Sequence, residues 1–270
     1  MEIIDAHVHL DDVINTKFSK EKRMKLLLQN MKSNKVKNAF VLADVESVIG
    51  ESFFSNEQMA EFIQPYKNLH LVGKVPLKYS SNNTYLKKLK RLISEKVMRG
   101  IKIYPGYEYF YPYDKRYKKV YGLCREFDVP LMIHTGDISG KGILKYSTPL
   151  HVDELANKYP DLKIIICHMG NPWHIDTATV TLKNDNVYAD TSGLFYKKLD
   201  DQMKKFLQKK IEEFIQWNGK GEKLIFGSDW PITDMRDSIK LIRSLPHFSN
   251  KEKKLIFEGN ARKLFNLNKK

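Results

Sequence analysis

Ile3-Ile4-Asp5-Ala6-His7-Val8-His9, near the start of a 270-residue chain, is a short apolar run that ends in His-Val-His. Side chains on a strand alternate faces, so His7 and His9 point the same way. Two imidazoles a few ångströms apart on one face make half of a metal site. Histidines at the C-terminal end of a first strand suit a barrel enzyme, whose chemistry sits at that face.

Working outward from this run, short β-branched segments recur, each followed by a helical pattern. Strands are expected at 3–9, 39–43, 69–75, 100–104, 131–134, 163–168, 187–190 and 224–229, with amphipathic helices at 20–31, 84–98, 115–127 and 200–217. Strands alternating with helices imply parallel βαβ units, and eight such units close into a (β/α)₈ TIM barrel. Helical cover at 251–265 follows the eighth strand. No linker, low-complexity tract or repeat interrupts the pattern, so residues 1–270 read as one α/β domain of ordinary barrel size.

The apolar runs stop on polar residues. The fifth strand ends at His134, the sixth at His168 and the eighth at Asp229. With His7 and His9 this places four imidazoles and a carboxylate at the C-terminal ends of four strands. Such a set points to a bound divalent ion, zinc first, with cobalt, manganese or iron as alternatives. An open coordination position would hold a water of lowered pKa. His168 would orient that water or carry a proton, and Asp229 would bind the metal and accept the water's proton.

Lys102, in Gly100-Ile101-Lys102-Ile103-Tyr104, shares a face with Tyr104, opposite the two isoleucines. Pointing inward, its ammonium needs a partner. It would pair with a carboxylate, contact an anionic substrate, or be carbamylated and bridge to a second metal; the ammonium is the preferred reading. Two irregular stretches, 104–114 and 136–149, follow strands and so belong to the active face. The first is aromatic, with Tyr104 and Tyr107 as candidate pocket residues; packing on the barrel rim is the competing role for its rings. His174, soon after the sixth strand, is a further candidate for contact with substrate. His70 opens the third strand and belongs to the opposite end. Cys124 and Cys167 form no CxxC pair and no structural disulfide is expected; alternation from His168 turns Cys167 toward the helix layer.

The formal net charge is +14. Of the 46 basic residues only eight are arginine, and the lysines are scattered over helix faces, as in Lys87, Lys88 and Lys90. Bidentate phosphate and base contacts would call for arginine. Nucleic acid is therefore not an expected partner, though a weak pull on anionic substrates is. No run of apolar residues is long enough to span a membrane, and no secretory leader precedes the first strand; the cytoplasm is the expected compartment. A homodimer is left open.

Asp5-Ala6-His7-Val8-His9, Gly100-Ile101-Lys102, Ile133-His134-Thr135-Gly136, His168-Met169-Gly170, Ala189-Asp190-Thr191-Ser192-Gly193 and Phe226-Gly227-Ser228-Asp229-Trp230-Pro231 together resemble the amidohydrolase-2 family, a branch of the amidohydrolase superfamily of metal-dependent barrel enzymes. The likeness runs to Gly259-Asn260-Ala261-Arg262. It implies that His7, His9, His134 and Asp229 bind a catalytic metal, usually zinc, and that His168 is a proton shuttle or an additional ligand. The family holds hydrolases of lactones and amide-like bonds, and also decarboxylases of unsaturated or aromatic acids. Those decarboxylases carry a proline soon after the HxH pair; here Leu10, Asp11 and Asp12 follow. Arg99 excepted, no arginine stands at a strand end where it would clamp a substrate carboxylate. Both departures favour hydrolysis of a C–O or C–N acyl bond in a small anionic substrate, with decarboxylation as the alternative.

Overall fold

The computed structural model describes residues 1–44, 54–196, 199–218 and 221–267. Eight strands follow one another round a single sheet in chain order: β1 Ile3–His9, β2 Val36–Leu42, β3 Leu69–Lys74, β4 Met98–Ile103, β5 Leu131–Ile133, β6 Ile164–Ile166, β7 Val187–Asp190 and β8 Leu224–Ile225. Each pairs with the next in parallel. The ring closes just past β8, where Ala6 N donates to Phe226 O at 2.9 Å, Asp229 N to His7 O at 2.8 Å and His9 N to Trp230 O at 2.7 Å. The fold is the expected (β/α)₈ TIM barrel.

Helices α1 Lys20–Asn34, α2 Asn56–Ile63, α3 Asn83–Ser94, α4 Lys118–Glu126, α5 Leu150–Lys158, α6 His174–Lys183, α7 Asp201–Asn218 and α8 Met235–Arg243 connect the strands among the described residues. Their apolar faces explain them. In α3, Leu86, Leu89, Leu92 and Ile93 recur at helical spacing and are buried, and Asn82 accepts from Tyr85 N to cap the start. The expected helix at 251–265 is broken: α9 Asn250–Lys254 and α10 Asn260–Leu264 flank a π-turn at Leu255–Gly259.

The barrel interior is filled by Ile4, Phe40, Val72, Met132, Ile165 and Ile225, and α10 closes the N-terminal end, with Phe265 stacked on Phe40 at 3.8 Å. The alternate residues, such as Val41, Leu71, Ile101 and Ile133, pack outward with the helices. Strand β1 departs from strict alternation. Between Asp5 and Val8 it carries one residue more than β2 does between Ala39 and Val41. This bulge resets the face, so that Ile4 fills the interior while His7 and His9 both reach the mouth. Asp5 pins it, accepting from His7 N at 3.2 Å and from Ser228 N at 2.9 Å.

Candidate active site

At the C-terminal mouth a cavity of about 340 Å³ opens among the strand ends. His7, His9, Lys102, Tyr104, Tyr107, His134, His168 and Asp229, eight of the nine expected site residues, all line it. Within it the side-chain nitrogens of His7 and His9 converge with an Asp229 oxygen. Asp229 Oδ1 lies 3.0 Å from His9 Nε2 and 3.3 Å from His7 Nε2. Neighbouring ligands of one divalent ion with bonds of about 2.0–2.2 Å stand about as far apart.

The other ring nitrogens are fixed from behind. His7 Nδ1 donates to Asp190 Oδ2 at 2.8 Å, and His9 Nδ1 to Asp44 Oδ2 at 2.7 Å. Each buried carboxylate turns its imidazole so that Nε2 faces the cluster, the arrangement that orients metal-binding histidines. Asp190 also accepts from His168 N at 2.8 Å and Ser192 N at 3.0 Å. Tyr104 donates to Asp44 Oδ1 at 2.9 Å. The chemistry therefore asks for a cation. Burial disfavours a charged His9, yet Asp44 and Asp229 outweigh it and hold its proton up to about 10. Burial likewise opposes ionisation of Asp229, and the surrounding imidazoles still hold it below the usual carboxylate range. A divalent ion would supply the positive charge that these carboxylates otherwise draw onto His9. The residues fit a metal.

His134 stands beside this group rather than in it. Its Nδ1 faces His168 Nε2 at 3.2 Å and its Nε2 faces Asp137 O at 3.0 Å. His168 Nδ1 meets Ser192 Oγ at 2.9 Å, and the His168 ring lies 5.0 Å from that of His7. Burial keeps both imidazoles neutral, His134 well below its ordinary pKa and His168 at about 4.

Lys102 points into the barrel, as its strand position predicts. Its Nζ is 2.7 Å from Cys167 Sγ and 5.4 Å from the centre of the Tyr104 ring. Burial pushes the Cys167 thiol well above its ordinary pKa, so Lys102 Nζ faces a neutral sulfur. Cys167 thus corrects one expectation: it belongs to the barrel interior, not to the helix layer. It continues the inward face of Ile165. His168 also reaches the pocket because its backbone leaves the strand, at φ 60° and ψ 24°. Asp229 makes the same turn at φ 65°. Gly193 accommodates both side chains: a Cβ there would sit 2.7 Å from Asp229 Oδ2 and 2.8 Å from His168 Nδ1.

His174 is the second correction. It opens α6 and turns away from the mouth, with Nε2 3.0 Å from Glu213 Oε2 on α7. The Gly170–Pro172 turn carries the chain outward, and Asn171, not His174, lines the pocket. Arg99 is the third: it opens onto a cavity at the opposite end of the barrel and clamps nothing in the mouth. The aromatic stretch divides. Tyr104 and Tyr107 line the pocket, while Tyr111 and Tyr113 stack on each other at 5.4 Å and pack on His151.

Asp44, Asp190 and Ser192 were not singled out as functional from the sequence. The signal was there: Asp44 and Asp190 follow the inward Leu42 and Tyr188 by two positions, the rule that located His134.

A model of the amidohydrolase family matches residues 4–267. Gamma-resorcylate decarboxylase from Polaromonas sp. (strain JS666 / ATCC BAA-500) is 28% identical over 135 residues, 43% of this chain but only 37% of that enzyme's length. Among solved structures, a TIM-barrel protein from Bordetella bronchiseptica superposes with a TM-score of 0.78 at 20% identity, covering 98% of this chain and 99% of its own. A probable 2-pyrone-4,6-dicarboxylic acid hydrolase from Acinetobacter baumannii gives 0.72 at 18%, covering 99% and 100%. A dihydroxybenzoic acid decarboxylase from Polaromonas sp. JS666, with bound manganese, gives 0.67 at 16%, covering 100% and 97%. At these identities the superpositions establish a shared fold. The match of the family model over nearly the whole barrel goes further: the chain belongs to the amidohydrolase family.

Proposed function

We propose that this protein is a metal-dependent hydrolase that cleaves a C–O or C–N acyl bond in a small, cyclic, anionic substrate. The observation that carries the reading is the pair of carboxylate–imidazole clamps, Asp190–His7 and Asp44–His9, aiming two Nε2 atoms at Asp229. A divalent ion held by His7, His9 and Asp229, with His134 as the fourth candidate ligand, supplies Lewis acidity toward an acyl oxygen and toward water. The donor set suits zinc, and it also suits manganese, the ion bound in the dihydroxybenzoic acid decarboxylase.

The remaining residues divide the work. Asp229 turns its carboxylate toward the cavity and takes a proton from the attacking water, then returns it to the leaving group. His168, neutral and held by Ser192, accepts a hydrogen bond and orients the nucleophile. Lys102, as an ammonium, binds the substrate's negative charge. Val13, Ile14 and Ile232 give one wall apolar contact, and the cavity of about 340 Å³ suits a single ring with one or two substituents. Tyr107 stands at the rim, its hydroxyl 3.2 Å from Ser139 Oγ.

Decarboxylation is the second reading, favoured by the likeness to gamma-resorcylate decarboxylase. It needs an acid that protonates substrate carbon. His134 and His168, two of the four histidines that line the pocket, are kept neutral, which suits proton acceptance better than donation. A screen of metal-loaded protein over lactones, cyclic amides and aromatic or unsaturated carboxylic acids tests the choice. Lactone or amide opening is expected. Carbon dioxide release from an acid, abolished by Asp229→Asn, with no acyl bond opened, would replace hydrolysis by decarboxylation.

A further inference from the structure

The barrel has a second concave face, at the N-terminal ends of its strands. A cavity of about 920 Å³ there is lined by Lys37, Lys67, Lys96, Arg99 and Lys254. These cations come from separate parts of the chain: β2, the turn before β3, the segment between α3 and β4, the start of β4, and the end of α9. Among the described residues none of the five pairs with a carboxylate. The two acids on the same wall, Glu2 and Glu258, are both engaged by Arg262. The wall thus carries six cations against two carboxylates, a clear positive excess.

Arg99 adds an independent observation. Among the described residues its enclosed Nε has no acceptor, and its Nη1 makes a 3.5 Å contact with Asn266 O. A guanidinium has five donors in a planar fork, and the enclosed one here is Nε. An enclosed donor without an acceptor is costly, and the few that native structures keep call for a reason. His70 Nε2 faces Asn38 Oδ1 at 3.1 Å on the same wall, which leaves the amide nitrogen of Asn38 as a further donor. The apolar filling of Phe40, Val72, Met132 and Ile165 separates this cavity from the metal group, so a ligand here does not take part in the chemistry at the mouth.

We propose that this cavity is a binding site for a small oligophosphate, two or three linked phosphoryl groups either free or on an ester. The arginine fork and the lysines that line the same cavity match phosphate oxygens. The volume lies within the range of small-molecule pockets, roughly 300–1,000 Å³. The cations ring a pit, whereas a nucleic-acid strand would be tracked by a stripe of them. The site is independent of the hydrolase reading.

Inorganic tripolyphosphate, titrated calorimetrically into the full-length protein at about 50 mM salt, is the probe. Saturable one-to-one binding is expected, weakened at least tenfold by Arg99→Gln combined with Lys254→Ala. Lys87→Ala combined with Lys205→Ala, which removes the same charge from helix faces elsewhere, should change it less than twofold. Thermal melts of both double variants establish that each is folded; if the first is not, Lys37→Ala combined with Lys96→Ala replaces it. Equal losses in the two double variants would show general charge attraction and overturn the proposal. So would loss of binding in Lys102→Met, which would place the probe in the mouth. The absence of saturation below about 1 mM, or tighter binding of a single-stranded oligonucleotide that the cavity variants leave unchanged, would overturn it as well.

Discussion

The two halves of the barrel mouth have opposite chemistry. On the β7–β8–β1–β2 side, Asp44, Asp190 and Asp229 surround His7 and His9, and the carboxylates lie 2.7–3.3 Å from the imidazoles. On the β4–β5–β6 side, Lys102 faces Cys167, and His134 and His168 are neutral. One half attracts a cation and the other an anion, across a cavity only about 340 Å³ in volume. The division suggests how a small site could hold a metal beside an anionic substrate: Asp44 and Asp190 stand behind the imidazoles, and Asp229, which faces the cavity, lies against both of them.

The largest effect should come from the cation side. Asp229→Asn removes a carboxylate that lies against both imidazoles. Bound metal, measured by elemental analysis, should fall below half of the native content, and kcat/KM by about three orders of magnitude, on the order of 4 kcal/mol. Full metal content and near-native turnover would mean that the cation side is only a hydrogen-bonded cluster. Asp190→Asn probes the layer behind it. The imidazole of His7 loses its anionic acceptor but keeps a neutral one, so metal affinity should drop about 10–100-fold with the barrel intact. An unchanged affinity in a chelator competition would remove Asp190 from the division.

Lys102→Met tests the anion side. A charge-assisted contact is worth about 1.5–3 kcal/mol, so KM for an anionic substrate should rise about 10–100-fold while metal content stays unchanged. Loss of metal with an unchanged KM would make Lys102 part of the cation side and break the division outright.

How far this division is legible in the sequence depends on where the backbone stays regular. His134 and Lys102 follow from alternation along β5 and β4, and their inward direction is read without a structure. The eight strands are legible because each is a compact apolar run. His168 and Asp229 reach the site for a different reason, the left-handed backbone at each, and the same misplaced regularity sent Cys167 to the wrong face. The β1 bulge is invisible in Ile3–His9, since a one-residue slip depends on the partner strand. Asp44 and Asp190 were readable by the strand-end rule. What the rule does not give is that they sit behind the histidines rather than beside them, because that depends on how eight strands close.

The smallest effect concerns the loop that carries the anion side's rim. Glu108 lies in the stretch after β4, near Tyr104 and Tyr107. Its Oε1 accepts from Leu77 N at 2.9 Å, while Oε2 is enclosed without a hydrogen-bond partner among the described residues. Burial pushes its pKa up from 4.5 to about 7, against the hydrogen bond from Leu77 and the charge of Lys78. The folded state therefore holds this proton more tightly than the unfolded chain does. The stability it contributes is fully present below about pH 4.5 and is lost as pH rises through about 7. Glu108→Gln keeps the group neutral at every pH and preserves an acceptor for Leu77. At pH 8 the variant should be more stable than the native protein by about 1–3 kcal/mol, or several degrees in Tm, and the gain should shrink toward zero at pH 5. Thermal melts at the two pH values decide it. A gain of equal size at both would trace the effect to packing rather than to charge. No gain at pH 8 would mean that the carboxylate is already satisfied there, and the rim of the anion side would then carry a negative charge of its own.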